Sequence, residues 1–179
     1  MGGGFTVAQV AWVVDDLDAA MRRWREAVNA GPFFVIPHSR VRDGTYRGRP
    51  ITMNLSLAMG QMGSVQLELI DQHDSTSSPY RDSVPRGTSA LHHIGGFTDD
   101  LDAEIGRYQA LGVDLVYSGS VGDMRFAYVD TRPSLGCMTE VLERGPRIEA
   151  MFARVRQSSV GWDGSDPVRS YLALDQEVA

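Results

Sequence analysis

Cysteine is almost missing from this 179-residue chain: Cys137 stands alone, so no intrachain disulfide can form and a reducing, cytoplasmic compartment is expected. Its apolar neighbours mark it as a buried structural thiol rather than a nucleophile. Positive charge is also short. A formal net charge of −6 and a pI near 5.1 leave no basic face for nucleic acid. Long apolar runs are lacking too, since no stretch approaches membrane-spanning length. The opening MGGGFTVAQVAWVVDD has no basic region ahead of a long apolar one, so neither a secretory signal nor a membrane partner is expected. What is present is 42% apolar residues, enough to bury a core in one ordinary domain or in two small modules that share one.

The chain repeats itself. Residues 9–19 read QVAWVVDDLDA and residues 93–103 read HIGGFTDDLDA, so Asp15–Ala19 and Asp99–Ala103 are identical at an offset of 84. Residues 7–14, VAQVAWVV, are rich in the β-branched and aromatic residues of a strand. Asp15 and Asp16 then cap a helix, because a short carboxylate accepts the unpaired N–H groups of its first turn. Leu17, Ala20, Met21, Trp24 and Val28 follow at helical spacing. The second copy has a strand at 91–98, the Asp99/Asp100 cap, and Leu101, Ile105, Tyr108 and Leu111 as its stripe, with Gly112 to end the helix.

Three strand-like runs follow each helix: 32–38, 51–59 and 65–71, then 114–119, 124–131 and 137–143. The fold class expected is α+β, with two tandem βαβββ modules at 1–72 and 91–145. A Ser- and Pro-rich linker at 73–90 joins them, and 146–179 hold an amphipathic helix (147–157) and an irregular tail, all within one structural domain. Between the first module's strands lies SRVRDGTYRGRP, residues 39–50, where the second module has only SVGD. This Arg-rich insertion reads either as a solvated loop or, through Arg47 and Arg49, as a clamp for a substrate carboxylate or phosphate.

Paired βαβββ units, with GPFF at 31–34 and SPYRD at 78–82, resemble the vicinal oxygen chelate superfamily over residues 5–145, and its glyoxalase I/methylmalonyl-CoA epimerase branch in particular. The resemblance implies a cup-shaped mixed sheet and one divalent transition metal ion (Ni, Co, Zn, Mn or Fe). It places the ligands at Gln9 and Glu68 in the first module and at His93 and Glu140 in the second. Gln9 and His93 are themselves a pair at the offset of 84. Singly, Gln9 reads as a polar strand residue, His93 as a hydrogen-bonded structural histidine, and each glutamate as solvent-facing. Jointly, at matching positions, they read as one site. Glu68 and Glu140 also interrupt apolar strands, where an unpaired buried carboxylate would be costly. His92 reads as packing on the face opposite His93, and His38 and His73 as loop residues.

The implied activity is that of a metal-dependent lyase, isomerase or epimerase. It takes a proton from the carbon next to a metal-bound carbonyl, through an enolate or enediolate, in a small-molecule substrate. Glu140 is the first choice for the base and Glu68 for its partner on the opposite face. The family also implies a homodimer. Methylmalonyl-CoA epimerases carry a second base in the strand that here reads ITMNLSLAM, without a glutamate. The other class open to the sequence is a metal-free binding protein of the bleomycin-resistance type, which sequesters a ligand in the same cup.

Overall fold

A computed structural model describes residues 5–39 and 41–172. The first module runs β1 (Gln9–Val13), α1 (Leu17–Val28), β2 (Phe33–Ser39), β3 (Arg42–Tyr46), β4 (Arg49–Pro50), β5 (Leu55–Met62) and β6 (Val65–Gln72). A short helix, α2 (Pro79–Ser83), lies in the connection. The second module runs β7 (Ala90–Thr98), α3 (Leu101–Ala110), β8 (Leu115–Val121), β9 (Met124–Val129), α4 (Arg132–Leu135) and β10 (Met138–Glu143). Helix α5 (Pro146–Ser158) and a last strand, β11 (Val168–Ser170), follow.

The duplicated phrase does the same work twice. Asp16 accepts from the Ala19 N–H at 2.8 Å and Asp100 from the Ala103 N–H at 2.9 Å, each starting its helix. Leu17, Ala20 and Met21 of α1, and Leu101 and Tyr108 of α3, are then buried against the sheet.

All strands join one curved, unclosed mixed sheet in the order β11-β2-β5-β6-β1-β7-β10-β9-β8-β3-β4. Its centre is the antiparallel β1–β7 pair. Outward from it the modules mirror each other, β6, β5, β2 on one side and β10, β9, β8 on the other. The expected α+β cup of two βαβββ halves is therefore the fold.

Two expectations, for residues 39–50 and for the tail, are corrected. Residues 39–50 are not a loop: β3 and β4 form a hairpin, and β3 pairs with β8 of the other module. Val41, Tyr46 and Ile51 pack on the core cluster that contains Tyr117, so burial of apolar side chains holds the hairpin there. Close approach requires Gly119, whose added Cβ would stand 2.5 Å from Val41 Cγ1. Arg40 lies outside the described residues. In the connection, Ser78 caps α2 through the Arg81 N–H and also bonds Gln72, so the segment is tied down. The tail contributes β11, parallel to β2, where the sequence reads as irregular. Among the described residues, no helix is long and apolar enough to cross a membrane.

Candidate functional site

Strand register decides which side chains share a face, because residues directly opposite one another project to the same side. In the β1–β7 pair Gln9 stands opposite Gly95 and Ala11 opposite His93. In β1–β6 Ala11 is beside Glu68, and in β10–β7 Glu140 is beside Gly95. Gln9, Glu68, His93 and Glu140 thus project to one face of the four central strands. His93 Nε2 lies 3.3 Å from Glu140 Oε2 and 3.7 Å from Glu68 Oε2. Gln9, His93 and Glu140 are buried, and the Glu68 side chain is 12% exposed.

Among the described residues, the two glutamates have no positively charged partner. Burial first, and then the charge of Glu140, hold the Glu68 carboxyl well above its usual range. Burial pushes Glu140 up to about 8, against a hydrogen bond from the Tyr128 hydroxyl. Burial lowers His93 to about 3, so its ring is neutral and its carboxylate contacts are not ion pairs.

A β-bulge sets the tautomer of that ring. Ala11 pairs with His93 and Trp12 with Leu91, which leaves His92 as the extra residue. The bulge brings the two histidine rings together, whereas strict alternation would place them on opposite faces. His92 Nδ1 is 2.9 Å from His93 Nδ1, and His92 Nε2 is 3.1 Å from the Pro79 carbonyl oxygen. A carbonyl only accepts, so His92 Nε2 carries the hydrogen. Burial and the neighbouring His93 keep His92 neutral, with a pKa near 3, so its Nδ1 accepts and His93 Nδ1 donates. The lone pair of His93 is left on Nε2, which faces the glutamates without a hydrogen-bond partner. His92, read as packing from the sequence, is therefore the residue that orients His93.

Gln9 is oriented in a parallel way. Its Nε2 donates to Gln66 Oε1 at 2.8 Å, and its Oε1 is buried without a partner. An added Cβ on Gly95 would lie 3.1 Å from that oxygen and 3.2 Å from Glu140 Oε2, so the gap between them exists because residue 95 has no side chain. Among the described residues no three His, Cys, Asp or Glu side chains are already drawn together as a metal cage. The fit to a cation rests instead on two orphaned buried atoms and two uncompensated carboxylates. They offer three oxygens and one nitrogen, a donor set for a divalent transition ion.

Above this floor lies a cavity of about 380 Å³ lined by Gln9, Glu68 and Glu140 below and mainly by apolar side chains around. Met59 of β5 and Phe126 and Tyr128 of β9 form part of the wall, and Ile148, Met151 and Phe152 of α5 reach in from above. His38 is not in a loop: it belongs to β2, at φ 50°, and stands on the cavity wall. Arg47 and Arg49 do not line the cavity, since the β3–β4 hairpin carries them to the outer edge of the sheet. Arg47 instead bonds Asp82 at 2.8 Å, tying the hairpin to α2. Among the described residues, the arginine that lines the cavity is Arg147, at the start of α5. Cys137 is buried, as its apolar context suggests, and its thiol is pushed up by that burial.

No curated protein sequence matches the chain. Solved structures share the fold. Methylmalonyl-CoA epimerase from Mycobacterium tuberculosis matches at 21% identity with a TM-score of 0.56, over 84% of this chain and 97% of that one. A hypothetical protein from Bacillus halodurans matches at 13% identity and a TM-score of 0.58, over 80% and 96%. A Streptomyces coelicolor methylmalonyl-CoA epimerase variant, solved with 2-nitronate-propionyl-CoA, matches at 17% identity and a TM-score of 0.56, over 79% and 96%. The family model for the Glyoxalase/Bleomycin resistance protein/Dioxygenase superfamily matches residues 8–128. With that span matched and the paired-module sheet in place, the chain belongs to this superfamily.

Proposed function

We propose that the protein is a metal-dependent enzyme that removes and returns a proton on the carbon beside a carbonyl, as a lyase, isomerase or epimerase. One observation carries the reading: two carboxyl groups without a positive partner among the described residues share a face with two orphaned buried atoms, His93 Nε2 and Gln9 Oε1. Such an arrangement is costly as it stands and is relieved by a divalent cation. Gln9, Glu68, His93 and Glu140 hold the ion, and His92 and Gln66 aim the two neutral donors. When bound, the cation supplies Lewis acidity that stabilises negative charge on a substrate oxygen.

Glu140 is the base. Its carboxylate stands on the cavity floor, where it can take a proton from the carbon beside the carbonyl and give it back. Tyr128, beside Glu140 and itself kept protonated by burial, eases the charge on that carboxylate. Glu68 serves the opposite side of the reacting carbon. The apolar walls keep water from the intermediate. A small carbonyl compound fits, and the acyl end of a thioester is among the candidates, as the similar epimerases suggest. Strand β5 has no glutamate and faces the cavity with Leu55, Leu57 and Met59, so an acyl-CoA epimerase reading would have to rely on Glu68 for its second base. The reading takes the protein to be a cytoplasmic homodimer, from its single cysteine and its family resemblance respectively.

Chelator-treated protein titrated with Zn, Ni, Co or Mn should take up one ion per chain and unfold at higher temperature. Glu140→Gln should still bind the ion, more weakly. It should slow deuterium exchange beside the carbonyl of an accepted hydroxy-ketone, hemithioacetal or acyl thioester by about a hundred- to ten-thousand-fold. If no ion stabilises the wild type, the protein sequesters its ligand without metal, as bleomycin-resistance proteins do.

A further inference from the structure

The cavity has a chemically polarised lining. Its floor carries Glu68 and Glu140, its middle is apolar, and among its described lining residues one guanidinium, that of Arg147, stands on the exposed rim. Most arginines with a described contact are spent on the protein itself: Arg47 on Asp82, Arg107 on Glu104, Arg125 on Asp102, Arg132 on Asp130, and Arg144 on Glu149. Arg147 has no ion pair or hydrogen bond among the described residues, although Asp123 shares the rim. It lies across the β8–β9 turn, where an added Cβ on Gly122 would stand 3.4 Å from Arg147 Nη1. That turn is anchored from beyond by Arg42, whose guanidinium donates to the Gly122 carbonyl.

We infer that Arg147 is a specificity-determining residue that receives an anionic group on the far end of the substrate. The site then takes an amphipathic compound: a carbonyl at one end, an apolar middle, and a carboxylate or comparable anion at the other. The lining favours a single orientation. The middle of the cavity is apolar and the floor presents carboxyl groups, whereas the rim guanidinium offers an anion a two-pronged hydrogen bond. The apolar segment between them fills a cavity of about 380 Å³, within the small-molecule range of about 300–1,000 Å³. This inference deepens the proposed function by naming a substrate class for the same cavity. It differs in its test, because the anion anchor needs no metal.

The test uses decanoate and its neutral analogue decanamide, titrated calorimetrically into chelator-treated full-length protein, so that no cation can capture the carboxylate. Wild type should bind decanoate more tightly than decanamide, and added salt should reduce the difference. Arg147→Gln should weaken decanoate about fivefold to tenfold, leave decanamide unchanged, and leave the melting temperature unchanged. Arg23→Gln, on the outer face of α1, should change neither ligand. The inference is overturned if wild type prefers decanamide or binds neither compound, or if Arg147→Gln holds decanoate as the wild type does. Decanoate binding through Arg147 in a protein that no divalent ion stabilises would uphold the anchor and refute the metal-dependent reading, so the two failures are separable.

Discussion

Gly95 shows how a single missing side chain shapes the site. It pairs with Gln9 on one side and Glu140 on the other, and their oxygens meet in the space where its Cβ would be. Its backbone is ordinary extended strand, so alanine is tolerated conformationally and costs the fold little. The methyl group would push Gln9 Oε1 and Glu140 Oε2 off their shared gap. Gly95→Ala should therefore keep the wild-type circular dichroism spectrum and melting temperature in chelator, yet lose most of the stabilisation by added divalent ion. A Gly95→Ala protein stabilised as strongly as wild type would show that the ion does not sit between those oxygens. The same scale explains why His92 escapes a reading by pattern. Its role follows from a bulge of one residue, and the sequence HHIGG shows two histidines without showing which ring faces which way.

At the level of elements, the two DDLDA phrases act as punctuation. Asp16 and Asp100 are N-caps with the same extended backbone, and each bonds the N–H three residues on. Asp16→Ala and Asp100→Ala should each cost about 1 kcal/mol, read as a lower urea midpoint at unchanged slope. The two caps belong to different helices in different modules, so the double variant should cost about the sum. Ion binding should be unaffected, since neither aspartate touches the floor of the cavity. A substantially smaller loss at both positions would mean that packing of the helices against the sheet, rather than capping, holds their first turns. The β3–β4 hairpin is the contrasting case. Its arginines and glycines look like solvated loop, and its strand character comes from β8 as a partner.

Over the whole molecule, buried titratable groups set the pH response. In metal-free protein Glu140 has a pKa of about 8 and Glu68 is also raised, against an ordinary 4.5. As pH rises through that interval the folded state keeps protons that the unfolded chain releases, so stability falls. His92 and His93, lowered from 6.5 to about 3, act in the opposite sense: between those values the unfolded chain holds the extra protons, and stability rises with pH. The pairs oppose one another up to about 6.5, and above it the glutamates act alone. The melting temperature of chelator-treated protein should drop by several degrees between pH 6.5 and 8. Saturating Zn or Ni should remove the drop, because a bound cation keeps both glutamates ionised in the folded state. A flat profile in chelator would mean that the carboxylates find solvent or another partner.

Local chemistry is legible in the sequence, and it accounts for what the chain determined unaided. Alternation marks the strands, carboxylate caps and apolar stripes mark the helices, and the offset of 84 marks two modules. The family resemblance adds Gln9, Glu68, His93 and Glu140 at matching places in those modules, and the register then brings them to one face. What only the tertiary structure decided depends on contacts between residues far apart in the chain. Strand β3 crosses to β8, β11 pairs with β2, and His38 becomes a wall residue. Arg47 and Arg49 are carried outward while Arg147, about a hundred residues later, is delivered to the cavity rim. Propensity and periodicity act over a few residues. The partner of an edge strand, and the face to which a long side chain turns, are set by chain closure and by whatever surface is left to bury.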